Sequence, residues 1–204
     1  MQGRWVSSTG ASPALIANVV PIDANNAYAW VLSTSGNDAV RMHKLRLAKD
    51  FSVTGKAYDL QQTSAPAQAV SGTSSLSTTP KSLTIDGLPT GKMALVPNTT
   101  APDAGNQADA TGTWSTTVGS AILVQWTLGA DGLLNGTSSA GCIYSGKLTA
   151  QPTLQVFDAQ VTESCLGTPA VFNGIATVSA DKKAMKFLAT TADETRGVAL
   201  LLAK

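Results

Sequence analysis

The chain has 204 residues, of which 43% are hydrophobic and only 13% charged, and its net charge is +1. The hydrophobic share excludes a disordered chain, and the near balance of charge leaves no field for nucleic acid or anionic lipid. No run of ~18 apolar residues offers a membrane-crossing helix, and 5% aromatic residues is too few for the girdles of a membrane barrel.

The shortage of charge is made up by Ser, Thr, Gly and Ala, a mix suited to exported β-proteins. No apolar signal region opens the chain, so an exported protein would already have lost its signal. Residues 3–8, headed Gly3-Arg4-Trp5, read as a first strand. Residues 9–26 read as a loop with a short extended piece over 14–20. A strand over 27–32, rich in aromatic and β-branched residues, is followed by a hairpin turn at Ser35-Gly36-Asn37-Asp38. Long strands are expected over 39–49 and 51–60. The first of them carries the one basic cluster, Arg41-Met42-His43-Lys44-Leu45-Arg46, and is expected to be solvated and to protect a sheet edge. Residues 61–82 are weakly patterned. Short strands over 83–85 and 93–96 flank a turn at 86–91, and 98–110 reads as a linker.

From Thr111 the strand pattern restarts. Strands are expected over 112–117, 121–128, 133–138, 142–150, 154–163, 171–178, 185–190 and 197–203, and no stretch holds a helical period. The last strand is apolar on both faces, as a central or barrel-closing strand would be. The restart has the form of an internal repeat. Gly3-x-Trp5 matches Gly112-x-Trp114, Trp30 to Gly36 matches Trp126 to Gly132, and Gly55-Lys56 matches Gly146-Lys147. Chance recurrence in a Gly- and Thr-rich β-protein is the alternative. In a Gly-x-Trp start the glycine bends the chain while the indole plugs one end of a barrel or sandwich. The expected organisation is therefore a β half over 1–97, a linker over 98–110 and a second β half over 111–204. The fold class is all-β, an antiparallel, barrel-like meander of two related halves with little or no helix.

Cys142 and Cys165 have neither CxxC nor metal spacing. They fit a structural disulfide, with two inert buried thiols as the alternative. The lone His43 stands in a charged strand without a nucleophile motif and reads as an exposed residue. Ser179-x-x-Lys182 falls in a hairpin turn, and 136–141 is too long for a nucleophile elbow. The glutamates are Glu163 and Glu194, and Asp158 and Glu163 face opposite sides of one strand, poor geometry for a glycosidase pair. Asp103, Asn106 and Asp109 match no calcium loop. Trp5, Trp30, Trp114 and Trp126 suit a core, and Trp30 with Trp126 could line an open barrel end and stack on a ligand.

The run Asp131-Gly132-Leu133-Leu134-Asn135-Gly136, then Gly141-Cys142-Ile143-Tyr144-Ser145-Gly146, Phe172-Asn173-Gly174 and Asp193-Glu194-Thr195-Arg196-Gly197 resembles the carboxy-terminal region of exported proteobacterial envelope proteins, often lipoproteins. That resemblance covers about half of the chain. It implies that Cys142 and Cys165 pair with each other, and it brings no activity with it. The Gly-x-Trp starts are similar to those of lipocalins in shape only.

These readings lead to a non-catalytic binding or interaction protein of the bacterial cell envelope, in the periplasm, on the outer membrane or at the cell surface. No cofactor is implied. The partner would be a protein or a glycan, not a nucleic acid, with a lipid anchor on the natural precursor. The loops 9–26 and 61–80 are the expected partner sites. Rival readings are an adhesin-like structural surface protein without a pocket, and a hydrolase or hydrolase inhibitor.

Overall fold

The structure, a computed structural model, describes residues 2–8, 13–36, 38–62, 65–99, 105–119 and 121–204. Asn37 of the expected hairpin turn, Asp103 of the expected linker and parts of both expected partner loops lie outside them. The chain divides into two units, Met1–Thr99 and Thr100–Lys204.

The first unit is a run of eight strands: β1 (Gly3–Ser7), β2 (Ala14–Pro21), β3 (Asn26–Ser35), β4 (Asp38–Ala48), β5 (Ser52–Asp59), β6 (Gln68–Thr78), β7 (Lys81–Asp86) and β8 (Met93–Pro97). Each pairs antiparallel with the next, and β8 returns to β1, so the sheet closes into a barrel. The second unit starts with a one-turn helix, α1 (Gln107–Ala110). It continues as β9 (Gly112–Val118), β10 (Ile122–Leu128), β11 (Leu133–Ser138), β12 (Ile143–Ala150), β13 (Phe157–Ser164), β14 (Ala170–Val178), β15 (Ala184–Thr191) and β16 (Gly197–Ala203). It too is a closed meander, sealed by β16 against β9.

Alternation builds both barrels. In β10 Val124, Trp126 and Leu128 are buried while Leu123, Gln125 and Thr127 are exposed; in β13 Phe157, Ala159 and Val161 are buried in the same rhythm. Period-two side chains put one set inside and the other outside, and each barrel keeps its own apolar cluster within. A membrane barrel has the opposite arrangement, with its apolar band outside.

The Gly-x-Trp starts occupy equivalent places on the first strand of each barrel. Gly3 and Gly112 have φ of 129° and 122°, a region open to glycine, and Trp5 and Trp114 are 1% and 0% exposed. A lysine caps each indole: Lys81 Nζ lies 5.5 Å from the Trp5 ring centre and Lys204 Nζ 4.8 Å from that of Trp114. The halves are related, but the other two correspondences fail. Trp30 lies on the third strand of its barrel and points outward, between the inward Ala29 and Val31, whereas Trp126 lies on the second strand of its barrel and points inward. Gly55 lies on a fifth strand and Gly146 on a fourth.

Other expectations are corrected. The weakly patterned stretch 61–82 holds an eleven-residue strand, β6. Its inward positions are Val70, Gly72, Ser74 and Leu76, and two of those four are too small to show an apolar period. The basic strand β4 is no sheet edge, because it pairs with β3 and β5 along its length. The expected partner loop 9–26 contains β2, and the other contains β6, so removing either would break a barrel. Residues 107–110, expected in the linker, pack on the second barrel. Ala110 is fully buried, and the Gln107 side chain donates to Leu148 O at 3.0 Å and accepts from Ala150 N at 2.9 Å.

Aspartates hold the turns. Asp23, Asp50, Asp131, Asp181 and Asp193 each accept a backbone N–H two residues on. These and neighbouring side-chain hydrogen bonds hold the Asp23, Asp50, Asp181 and Asp193 carboxyls below their ordinary value. In the second barrel Gly136 faces inward beneath Trp126, and a Cβ there would come 2.5 Å from Trp126 Cδ1 and 2.5 Å from Gln125 O. Neither can give way cheaply, so Gly136→Ala should destabilise by about 1–3 kcal/mol, read as a lower urea midpoint. An unchanged midpoint would show that the indole has room to move.

Candidate functional site

In a meander, connections alternate between the two ends of the barrel. In the second barrel α1 and the turns after β10, β12 and β14 share one end, and the turns after β9, β11, β13 and β15 share the other. The second end carries the disulfide. Cys142 precedes β12 and Cys165 follows β13, whose terminal residues Ile143 and Ser164 are paired, and the sulfurs are joined at 2.02 Å. The expected pair is formed, just outside the strands and not within them. Such bonds form and persist in oxidising compartments, so the pairing points to an exported environment.

Two residues inward along each strand, Tyr144 faces Glu163 across the ladder. The Tyr144 hydroxyl donates to Glu163 Oε1 at 3.3 Å, and Arg196, in the turn after β15, donates from Nη2 to Glu163 Oε2 at 3.4 Å. The Arg196 guanidinium also lies 5.1 Å from the Phe172 ring centre. Burial, and after it the Glu163 charge, push the Tyr144 hydroxyl above its usual value. It therefore stays protonated and donates, and it is a poor base. Below it lies Trp126, 1% exposed, with its ring centre 5.9 Å from that of Tyr144 and 5.1 Å from that of Phe187. The Trp126 Nε1 has no hydrogen-bond partner among the described residues.

Around this network stands an apolar rim. Ten large hydrophobic side chains are exposed among the described residues, and six of them lie at this one end: Val118, Ile122, Leu123, Ile143, Leu166 and Val171. Leu166, beside the disulfide, is fully exposed. Scattered exposed apolar residues are ordinary, but here more than half of those exposed gather at one end of one barrel.

The residues singled out from sequence fall elsewhere or are differently placed. Neither expected binding aromatic offers a face to solvent. Trp126 is in the core, and Trp30 is 4% exposed, on the outer side of β3, with Lys44 Nζ 5.3 Å from its ring centre. His43, expected on the surface, is 2% exposed and points into the first barrel, because its neighbours across the ladder, Val31 and Ala57, are inward residues. Ser179 sits in the β14–β15 turn, donating to Asp181 Oδ1 at 2.6 Å. Asn106 accepts from Ala108 N as the N-cap of α1, and Asp109 is paired with Lys182 at 2.7 Å. Cys142, Cys165 and Glu163 come within ion-sharing distance of one another, but both sulfurs are committed to the disulfide.

Sequence reading missed Glu163 and Arg196 as partners, and the rim as a cluster. One signal was present: once Cys142 and Cys165 pair across antiparallel strands, the register puts Tyr144 opposite Glu163. No family model matches the chain, and no curated protein or solved structure matches it either.

Proposed function

We propose that this chain is a non-catalytic binding protein of the bacterial cell envelope that engages a protein partner through the disulfide-tied end of its second barrel. The observation that carries the reading is the clustering of Val118, Ile122, Leu123, Ile143, Leu166 and Val171 at that end. The rim is aliphatic, which favours a protein over a glycan, because sugars are gripped by exposed aromatic faces and directed polar groups. Inside the rim, the Glu163–Arg196 pair supplies a polar contact that would fix orientation. The disulfide supports an exported location. The resemblance to envelope proteins supports the envelope in particular, and a lipid anchor on the precursor belongs to the same reading.

The test uses immobilised protein and a detergent-solubilised envelope fraction. A partner held by the wild type should be retained at least tenfold less by the double variant Ile143→Asp, Leu166→Asp. Both residues are exposed, so the variant should melt as the wild type does. Ile22→Asp, in the other unit, should bind normally. Equal retention by the rim variant would overturn the reading. So would turnover on an esterase, protease or glycosidase panel that is lost on changing a single Ser or Asp.

A further inference from the structure

We propose that the β7–β8 loop is an acid-released lid over one end of the first barrel, latched by the hydrogen bond between Thr90 and His43. The loop, residues 87–92, dips inward. Leu88 is 6% exposed and belongs to the barrel core, and Thr90 Oγ1 lies 3.0 Å from His43 Nε2. Gly87 and Gly91 flank this inserted piece with φ of 79° and 100°, so each end of it is a joint open to glycine. The ion pair between Asp86 and Lys92, 3.6 Å apart, holds the base of the loop together in solvent, so the loop can lift as a unit.

The latch is made by a buried neutral imidazole. His43 faces Val31 on β3 and Ala57 on β5, neither of which can accept a proton or balance a charge. The charge that acts on it is that of Arg41, two residues along its own strand, and Asp59 stands across from Arg41 on β5. Thr90 is the group that reaches it from the loop, and Nδ1 has no hydrogen-bond partner among the described residues. Neutral His43 tolerates this, with Nε2–H donating to Thr90 and Nδ1 left as a bare acceptor. Protonation turns Nδ1 into a charged, buried donor with nothing to receive it. Lifting the loop frees Nε2 from Thr90 and would let water in to solvate the charged ring.

Burial, and after it the Arg41 charge, hold the His43 pKa at about 4 against an ordinary 6.5. The sign follows: the open state takes up the proton first, so closure is fully favoured above pH 6.5 and weakens as pH falls toward about 4. Between pH 7 and pH 5 the opening constant should rise about twentyfold. The turn aspartates, whose carboxyls lie below their ordinary value, are still ionised at pH 5 and do not contribute.

Hydrogen exchange of the whole chain, corrected for the intrinsic pH dependence of exchange, tests this. Amides of the non-proline residues of 87–92 should lose about twentyfold in protection between pH 7 and pH 5 while β3, β4 and β5 keep theirs. In Thr90→Val the loop should exchange faster at pH 7 and respond less to acid. In His43→Gln it should not respond to acid at all. Unchanged wild-type protection at pH 5, or parallel loss across all strands of the barrel, would overturn the proposal.

Discussion

Replacing Trp114 by alanine should cost about 3–5 kcal/mol, and Trp5→Ala about as much, the range for removing a buried aromatic from a packed core. Both indoles are essentially unexposed, and each stands at the point where its barrel begins and closes. Trp114 has a further role, since its Nε1 donates to Ala110 O at 2.7 Å and so fastens α1 to the barrel. Its removal opens a cavity and also leaves the Ala110 carbonyl buried and unpaired, which adds about 1–3 kcal/mol unless water enters. Trp114→Phe separates the two contributions, because it keeps most of the volume and loses only the donor. Urea unfolding at pH 7 should therefore rank wild type above Trp114→Phe, and that above Trp114→Ala. If either alanine variant kept the wild-type midpoint, its indole would not be the organising side chain of its barrel.

That equivalence of Trp5 and Trp114 was legible because it rests on a local rule. A glycine with φ near 120° followed by a large inward side chain is a property of three residues. The longer matches misled because they compared spacings along the chain, while the barrel counts strands. Six residues from Trp30 to Gly36 and from Trp126 to Gly132 span a third and a second strand, and a Trp shifted by one position in the pleat changes from inside to outside. The second half was read strand for strand because its inward positions are large: Trp126, Leu134, Tyr144, Leu148, Phe157, Val161, Phe172 and Phe187. In the first half β6 turns Gly72 and Ser74 inward, and the apolar signal disappears although the alternation of burial does not.

The rim and the latch were hidden for a different reason. In sequence Leu123 and Ile143 look like core residues of apolar strands, and only the register of Val124 with Ser138 and of Tyr144 with Glu163 shows them to be the outward neighbours of inward residues. His43 was judged by the company of Arg41, Lys44 and Arg46. Alternation separates it from two of these: Lys44 lies on the outer side against Tyr28, and Arg46 bonds Asn26, while His43 shares its face with Arg41 and lies opposite Ala57 inside. Thr90 is 47 residues further on, beyond the reach of any local pattern.

Removing the disulfide with the double variant Cys142→Ser, Cys165→Ser should cost about 3 kcal/mol. The closed loop follows from a sequence separation of 23, and constraining a loop of that size in the unfolded chain contributes about that much. The native state should change little in its middle, because β12 and β13 remain paired from Ile143–Ser164 to Ala150–Phe157. The change should concentrate at the rim. Without the bond, the turns after β11 and β13 are held to each other only through the strand ends, and Leu166 and Ile143 lose their fixed spacing. The variant should therefore unfold at lower urea and also retain the partner less well than its stability at room temperature would require. Free-thiol titration of the unfolded, unreduced wild type should give no thiols. Two thiols per chain would remove the argument for an oxidising compartment, and with it the strongest support for export. A variant that unfolds at lower urea but holds the partner as the wild type does would instead place the binding surface away from the tied end.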